Sequence, residues 1–386
     1  MRFPTAADRP RLRGATASMV RQALETGDPL PGSAGFAGAV DGQLVRDVLG
    51  REPLFIDETA ESPTWAFDPV SLENPELVPA GSVVRRSQSG KTDRDGLTLD
   101  ERWALPDPAP VTDSAEAIAA IREVVLRSVR EPDPEGLAIA FSGGVDSAVV
   151  AAGVPEAPCY VAGFEGCHDV AAARAAADAM DRELRDVEFG HDDIVRAVPD
   201  IVRTTGRSNP MDVQIALPLY FVAEQAAADG FERLAVGQGA DELFGGYRKV
   251  VDPADDHRVA AGTVRRATRE VIATLPKQLL RDVLTLRGVG VEPVAPLLHD
   301  RVVSAALSLP AELLATEAER KIALRRAAEG VVPESVRTAE KKAVQYGTYA
   351  ARELDRLARQ AGFKRRMDDH VGQYIDSLVE AESDSS

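Results

Sequence analysis

LAIAFSGGVDS, residues 137–147, decides how the chain folds. The apolar run LAIAF reads as a buried strand, SGGVDS as a tight loop, and SAVVAAGV (147–154) as the start of a helix. A strand–loop–helix unit of this kind aims the N–H groups of the first helical turn at whatever occupies the loop. Gly143 and Gly144 let the backbone curl closely around an anion. Ser142 and Ser147 add hydroxyls, and the carboxylate of Asp146 is a candidate Mg2+ ligand. No GKS or GKT follows and the spacing is not GxGxxG, so neither the Walker loop nor the dinucleotide fingerprint applies. A plain glycine turn needs no two serines and an aspartate, so the loop reads as a phosphate or pyrophosphate cradle.

Outward from this loop, strands alternate with alanine-rich helices. DSAEAIAAIREVVLRSVREP (113–132) is an amphipathic helix with an acidic beginning and a basic end, the order the helix dipole favours. CYVAGFE (159–165) reads as a strand, DVAAARAAADAMDREL (169–184) as a helix, MDVQIALPLYFVAEQAAADG (211–230) as a helix, and ERLAVGQGA (232–240) as a strand and its loop. This alternation implies a parallel sheet covered on both faces. Residues 251–375 read as mostly helical and arginine-rich, and 376–386 as an acidic tail. Residues 1–110 differ: VRDVLGREPLFID (45–57) reads as two short strands about a turn at Gly50, and LVPAGSVVRR (77–86) as a turn and strand. Pro106, Pro108 and Pro110 mark a linker.

The second chemistry-bearing segment is GQGADELFGGY, Gly237–Tyr247. It too follows a strand, and loops at the carboxyl ends of strands in an open parallel sheet line one crevice. The two segments are therefore expected to face the same ligand. Asp241 is a second candidate Mg2+ ligand, Glu242 can orient the loop, and Gly237 and Gly239 permit close approach of a nucleotide. The alternative is a solvated acidic turn.

Composition narrows the partners. The 386 residues carry 62 acidic and 45 basic side chains, a net charge of −17, and only seven of the basic ones are lysine. Such a field repels nucleic acid and anionic membranes. It suits a protein that stays hydrated in concentrated salt, where long-range repulsion is screened. No run of apolar residues reaches membrane-spanning length, and the start lacks an apolar signal core, so a cytoplasmic location is expected. The two cysteines, Cys159 and Cys167, fit no common zinc spacing; Cys167 reads either as a reactive thiol or as an ordinary small residue beside a ligand loop.

FSGGVDS resembles the PP-loop of ATP pyrophosphatases, and VGQGADELFGGY resembles the asparagine synthetase signature GEGADELFGGY. The resemblance extends through LLRDVLTLRGVGVEPVAPLL (279–298), which puts Arg281, Glu292 and Pro296 on family positions. It continues through KIALRRAAEGVVPESVRTAEKKAVQYG (321–347), which carries over Lys321 and Lys341, with Lys342 a close alternative to Lys341. It covers roughly residues 115–350. RDVLGREPLF and LVPAG resemble segments of the N-terminal-nucleophile glutaminase domain of the same family. That domain uses a cysteine directly after the initiator methionine. Position 2 here is Arg2 and no cysteine precedes Cys159, so glutamine hydrolysis by this chain is not expected.

The resemblance implies an α/β fold: a parallel-sheet PP-loop ATP pyrophosphatase domain, adenine nucleotide α-hydrolase-like, with a helical C-terminal part, at 111–375. A small β-rich degenerate glutaminase remnant precedes it at 1–110. It implies an ATP- and Mg2+-dependent amide ligase of amino-acid biosynthesis that forms an acyl-adenylate and pyrophosphate from a small carboxylate, then passes the acyl group to ammonia or an amine. In those terms Ser142, Gly143, Gly144, Ser147, Gly237, Gly239 and Lys321 hold the nucleotide, Asp146 and Asp241 hold Mg2+, and Lys341, Gln238, Asp241 and Arg281 serve the chemistry. Gln238 stands where the family has a glutamate, and an amide takes no proton at neutral pH. β-Lactam-forming synthetases, which also depart there, supply the alternative of intramolecular amide formation. A PP-loop sulfur transferase or RNA-modifying enzyme and a non-catalytic ATP-binding scaffold are the other classes. A separate glutaminase partner would supply ammonia. Substrate selection is expected from GFEGCHD (163–169) and TTGRSNPMD (204–212), with Arg207 a candidate for a substrate carboxylate and Glu165 and Asp169 for nucleotide or loop contacts.

Overall fold

The computed structural model describes residues 11–59, 63–86, 97–251, 261–339 and 345–383. The chain forms two compact units, each assembled from separate stretches: Met1–Ser128, Gln238–Leu280 and Leu297–Ala327 in the first, Val129–Gly237, Arg281–Pro296 and Ala328–Ser386 in the second.

The first unit is built on antiparallel strands. β1 (Leu12–Arg13), β2 (Ala37–Val40), β3 (Gln43–Arg46), β7 (Ser82–Arg86) and β8 (Leu97–Glu101) form one sheet in the order β1-β2-β3-β7-β8. β4 (Phe55–Asp57), β5 (Thr64–Ala66) and β6 (Glu76–Leu77) form a second, in the order β5-β4-β6. The β2–β3 hairpin turns on Asp41 and Gly42, both at positive φ, which is the backbone a two-residue hairpin demands. The larger sheet alternates strictly. Ala37, Leu44 and Val84 pack with Leu54, Ile56, Trp65 and Phe67 of the small sheet and its flanks. Their neighbours Val40, Val45 and Val83 point the other way, against Val20, Ala23 and Trp103. Val20 and Ala23 lie on the helix Ala17–Thr26, which the sequence reading of this region missed. Its signals are local: Thr16 caps it by accepting from the Met19 N–H at 3.2 Å, and Gly27 at φ 74° ends it.

The second unit is α/β. β9 (Leu137–Ala140), β10 (Cys159–Gly163), β11 (Leu184–Glu188), β12 (Arg233–Ala235) and β13 (Glu292–Val294) form one wholly parallel sheet in the order β11-β10-β9-β12-β13. Leu137, Ala138, Ile139, Cys159, Tyr160 and Val161 are all essentially inaccessible, as strands buried on both faces must be. Ala138, Tyr160, Leu234 and Val236 share a core with residues of the helices His191–Thr205, Pro210–Ala228, Gln345–Gln360 and His370–Ser383. An α/β architecture with a parallel sheet, preceded by antiparallel β-sheets, is thus what the chain adopts, as its sequence indicated. Two edge strands were not foreseen. β11 carries Arg185, Asp186 and Glu188, and β13 has Pro293 in its middle, a residue that edge strands tolerate. The helix read over 169–184 is correspondingly shorter: it spans His168–Ala179, and Asp181 at φ 51° turns the chain into β11. Among the described residues no helix is long and apolar enough to cross a membrane.

Candidate functional site

In the second unit the strand order reverses between β9 and its neighbour β12, and an open α/β sheet binds ligands at such a point, beyond the carboxyl ends of the strands. The loop leaving β9 there is SGGVDS. Its hydroxyls close it from inside: the Ser142 N–H donates to Ser147 Oγ at 3.1 Å, the two hydroxyl oxygens are 3.3 Å apart, and Ser147 Oγ donates to the Gly144 carbonyl at 3.2 Å. Ser147 therefore shapes the loop. Gly143 sits at φ 72°, and a Cβ there would lie 2.9 Å from the Ala172 carbonyl oxygen and from Ala173 Cα. Gly144 heads the helix Val145–Gly153 without a side-chain cap, so the opening turn carries the partial positive charge that binds phosphate. From the end of β12, Gly237 packs onto this turn: a Cβ on it would lie 2.9 Å from the Asp146 carbonyl carbon and Cβ and 3.0 Å from the Ser147 nitrogen. Half-buried Asp146 stands in that turn. Glycine where the backbones meet, a helix start and a carboxylate beside it fit the phosphates of a nucleotide and its metal.

The rest of the second signature, from Gln238 onward, belongs to the first unit. Gln238 is half-buried. Gly239, at φ 87°, opens the short helix Ala240–Leu243, and a Cβ there would come within 2.4 Å of Leu298 Cδ2. Asp241 Oδ1 lies 2.8 Å from Lys321 Nζ. The fold thus brings together two residues singled out far apart in the chain. Lys321 holds φ 58°, and the preceding Arg320 donates to the Gly246 carbonyl at 2.7 Å, a contact the sequence reading did not anticipate. Among the described residues no group of three or more His, Cys, Asp or Glu side chains could cage a metal. Mg2+ bound through one or two carboxylates and nucleotide phosphates requires no such cage.

Glu242 is buried, 5% exposed, and accepts a hydrogen bond from the Tyr247 hydroxyl at 2.5 Å. Burial, and then the charge of Asp241, push its carboxyl up from 4.5 to about 7, against the Tyr247 bond and the charge of Lys321. A carboxyl raised by folding binds more protons folded than unfolded, so its contribution is present at low pH and lost as pH rises through about 7. In metal-free buffer, urea unfolding between about pH 5 and about pH 9 is expected to show wild type losing up to about 3 kcal/mol that Glu242→Gln does not lose. Parallel stability curves for the two proteins would contradict this.

The remaining candidates fall into other surroundings. Arg281 is buried in the second unit, with Nε 2.7 Å from Asp282 Oδ1 and Nη1 3.1 Å from Asp212 Oδ1. Asp212 also takes Arg207 Nη1 at 3.0 Å and Asn209 Nδ2 at 2.7 Å. Burial alone would raise the Asp212 carboxyl, but the Asn209 hydrogen bond and the charges of Arg207 and Arg281 hold it below its ordinary value. Arg207 and Arg281 thus share one carboxylate. Glu292 pairs with Arg287 at 2.9 Å, and Pro296 begins the turn Pro296–Leu298. Cys167 is buried at the head of the helix His168–Ala179, where a Cβ on Gly163 would lie 2.5 Å from its Sγ, so a small residue in a tight corner describes it. Asp169 is buried in the same first turn, and it lines a small cavity with Phe164, Phe189 and Tyr349. Lys341 and its alternative Lys342 lie outside the described residues.

Comparison with known proteins agrees with this geometry. The asparagine synthase family model matches residues 120–268 and 254–382. A Methanocaldococcus jannaschii protein, provisionally named a glutamine-hydrolyzing asparagine synthetase, is 28% identical over 306 residues, 67% of this chain and 53% of its own. The glutamine-hydrolyzing asparagine synthetase B of Escherichia coli strain K12 is 25% identical over 349 residues, 82% of this chain and 61% of its own. The glutamine-hydrolyzing asparagine synthetase of Triphysaria versicolor is 24% identical over 295 residues, 69% of this chain and 47% of its own. The chain spans about half the length of the curated relatives it matches. With the family model covering both the loop after β9 and the Asp241–Lys321 pair, the chain belongs to the asparagine synthase family.

Proposed function

We propose that the protein is an ATP-dependent, AMP-forming amide ligase that activates a small carboxylate as its adenylate, releases pyrophosphate, and transfers the acyl group to ammonia or an amine. The observation that carries this reading is the glycine-walled loop at the reversal of the parallel sheet, with Gly237 seated on the Asp146–Ser147 backbone. The N–H groups of Gly143, Gly144 and the following turn bind pyrophosphate oxygens, and Ser142 adds a hydroxyl. Asp146 and Asp241 are each assigned to Mg2+, which when bound screens the phosphate charge during attack at the α-phosphorus. Lys321 orients Asp241. Lys341 is assigned to neutralising charge on the activated acyl group, and Arg281 to holding the segment around Asp212 in place. Gly239 leaves room for Leu298 against the turn that carries Asp241. No cysteine precedes Cys159, so we assign no glutamine hydrolysis to residues 1–110, which we read as a glutaminase remnant ahead of the synthetase part at 111–375 and an acidic tail at 376–386. Nitrogen would then arrive as ammonia, from solution or from a separate glutaminase.

One residue favours a second reading. Gln238 takes no proton where the resembling signature has glutamate, and β-lactam-forming synthetases depart at the same position, so the second reading is intramolecular amide formation with another group as base. The test is ATP-dependent pyrophosphate release in high salt with Mg2+, ammonium and a panel of carboxylates headed by aspartate. Release with aspartate and formation of asparagine is the expected result. Release that needs no ammonium, from an acid whose own amine closes onto its activated carboxylate as a cyclic amide, would move the assignment to the second reading. Nucleotide binding without release across the panel would overturn the ligase.

A further inference from the structure

The segment RDVLGREPLF resembles part of a glutaminase domain, although no cysteine precedes Cys159. It nevertheless holds a fully buried ionic group of the first unit. The Asp47 carboxylate, fully inaccessible, accepts from the backbone N–H groups of Phe36 at 3.3 Å, Leu49 at 3.0 Å and Arg51 at 3.0 Å, and from Arg51 Nε at 2.8 Å. Arg51 Nη1 continues outward, 2.7 Å from the Leu298 carbonyl and 2.7 Å from Asp300 Oδ1. The other oxygen of Asp300 accepts from the N–H groups of Gly32 at 3.0 Å and Ser33 at 2.7 Å and from the Ser33 hydroxyl at 3.1 Å. Arg46 beside it, also inaccessible, ties the same turn by donating to the carbonyls of Gly50, Glu52 and Val78 at 2.7–2.8 Å.

A buried ion chain of this kind is a costly way to fill a core, and an apolar set of similar volume is commonly as stable. What it supplies is position. Arg51 and Asp300 grip the chain on both sides of His299, and the residue whose carbonyl Arg51 holds is Leu298. The Leu298 side chain, 1% exposed, lies directly against Gly239: its Cδ2 and Cγ would be 2.4 and 2.7 Å from a Cβ there. Gly239 in turn caps the turn that carries Asp241, its carbonyl accepting from the Leu243 N–H at 2.8 Å.

We propose that Asp47, Arg51 and Asp300 are positioning residues for the signature loop 239–246, acting through Leu298, so that the glutaminase-like remnant is retained as a brace for Asp241. The consequence for activity rests on the ligase reading above; the consequence for the loop does not.

The test uses the full chain and four variants. Arg51→Met breaks the ion chain, Asp47→Asn weakens it isosterically, and Leu298→Ala leaves the ions in place while deleting the relay. Trp65→Leu damages the remnant's core elsewhere. Backbone hydrogen exchange over residues 240–246 and kcat/KM for ATP are followed beside Tm. Arg51→Met, Asp47→Asn and Leu298→Ala are expected to lose protection in 240–246 and about tenfold in kcat/KM, whereas Trp65→Leu lowers Tm and moves neither. If Arg51→Met does not fold, Asp47→Asn carries the comparison. Variants that lower Tm but keep wild-type exchange in 240–246 would overturn the brace. Should the wild type release no pyrophosphate, the ligase reading fails while exchange still decides this proposal.

Discussion

Replacing Gly237 by alanine is expected to lower kcat/KM for ATP-dependent pyrophosphate release about a hundredfold or more. The cause is room, not backbone strain, since Gly237 is absent from the residues at positive φ. The new methyl would lie 2.9 Å from two Asp146 atoms and 3.0 Å from the Ser147 nitrogen, distances that side-chain carbons do not tolerate against backbone. Neither partner yields easily. Ala148, Val149 and Val150 anchor the helix behind Asp146 with no exposed surface, and the Val236 N–H is tied to the Val294 carbonyl at 2.9 Å. The first turn and the strand end must separate, carrying the phosphate-binding N–H groups and Asp146 out of place by some tenths of an ångström. Overpacking of this type costs about 1–3 kcal/mol, so the protein should remain folded while the nucleotide affinity falls. Gly190→Ala is the control in the same unit: the nearest atom to its Cβ is 3.8 Å away, and activity should stay near wild type. A Gly237→Ala enzyme with wild-type kinetics would mean that this contact does not shape the nucleotide loop.

How much of this was legible follows from how local each feature is. The SGGVDS loop, its strand and its helix occupy one contiguous stretch, and hydrophobic period with glycine placement suffices to read them. The hairpin at Asp41–Gly42 and the helix Ala17–Thr26 carry equally local signals, and the latter was missed only because its apolar face is narrow, with Val20 and Ala23 its sole buried residues. β11 and β13 were harder. Most of their residues are charged or proline, and the parallel neighbours that make them strands lie elsewhere in sequence. The site shows the same division. Asp241 and Lys321 were each singled out by resemblance, but their 2.8 Å pairing is tertiary. Ser147 reads from sequence as a hydroxyl donor of the cradle, while its bonds to the Ser142 N–H and the Gly144 carbonyl are local geometry that sequence does not give. Arg207 was a candidate for a substrate carboxylate, and the structure gives it Asp212. The ion chain from Asp47 to Asp300 was not readable even though RDVLGREPLF contains Asp47 and Arg51, since Asp300 follows all five strands of the parallel sheet in sequence.

Gly246→Ala should cost activity about as heavily, through the carboxylate of Asp241. A methyl on Gly246 would fall 1.8 Å from Asp241 Oδ1, 2.5 Å from Lys321 Cε and 2.7 Å from the backbone Cα of Asp241. Gly246 cannot retreat, because its N–H donates to the Asp241 carbonyl at 2.8 Å and its own carbonyl accepts from Arg320 at 2.7 Å. The Asp241 carboxylate must therefore swing away, breaking its 2.8 Å pair with Lys321, and the Asp241 backbone must shift with it. The Asp241 side chain is 25% exposed and that of Lys321 13%, so water takes up part of the lost interaction and the pair itself is worth at most about 1 kcal/mol. The displacement of a Mg2+ ligand is costlier: a shift of about 1 Å in a catalytic group commonly costs about a hundredfold. Gly246→Ala is accordingly expected to stay folded at an overpacking cost of about 1–3 kcal/mol while kcat/KM for pyrophosphate release falls about a hundredfold, with the loss in activity matched by Asp241→Asn, which removes the charge without moving the backbone. The double variant should be no worse than either single change, because both remove the same carboxylate from the same place. Additive losses would instead mean that Gly246 matters for something other than where Asp241 points, and wild-type kinetics in Gly246→Ala would remove Asp241 from the nucleotide chemistry.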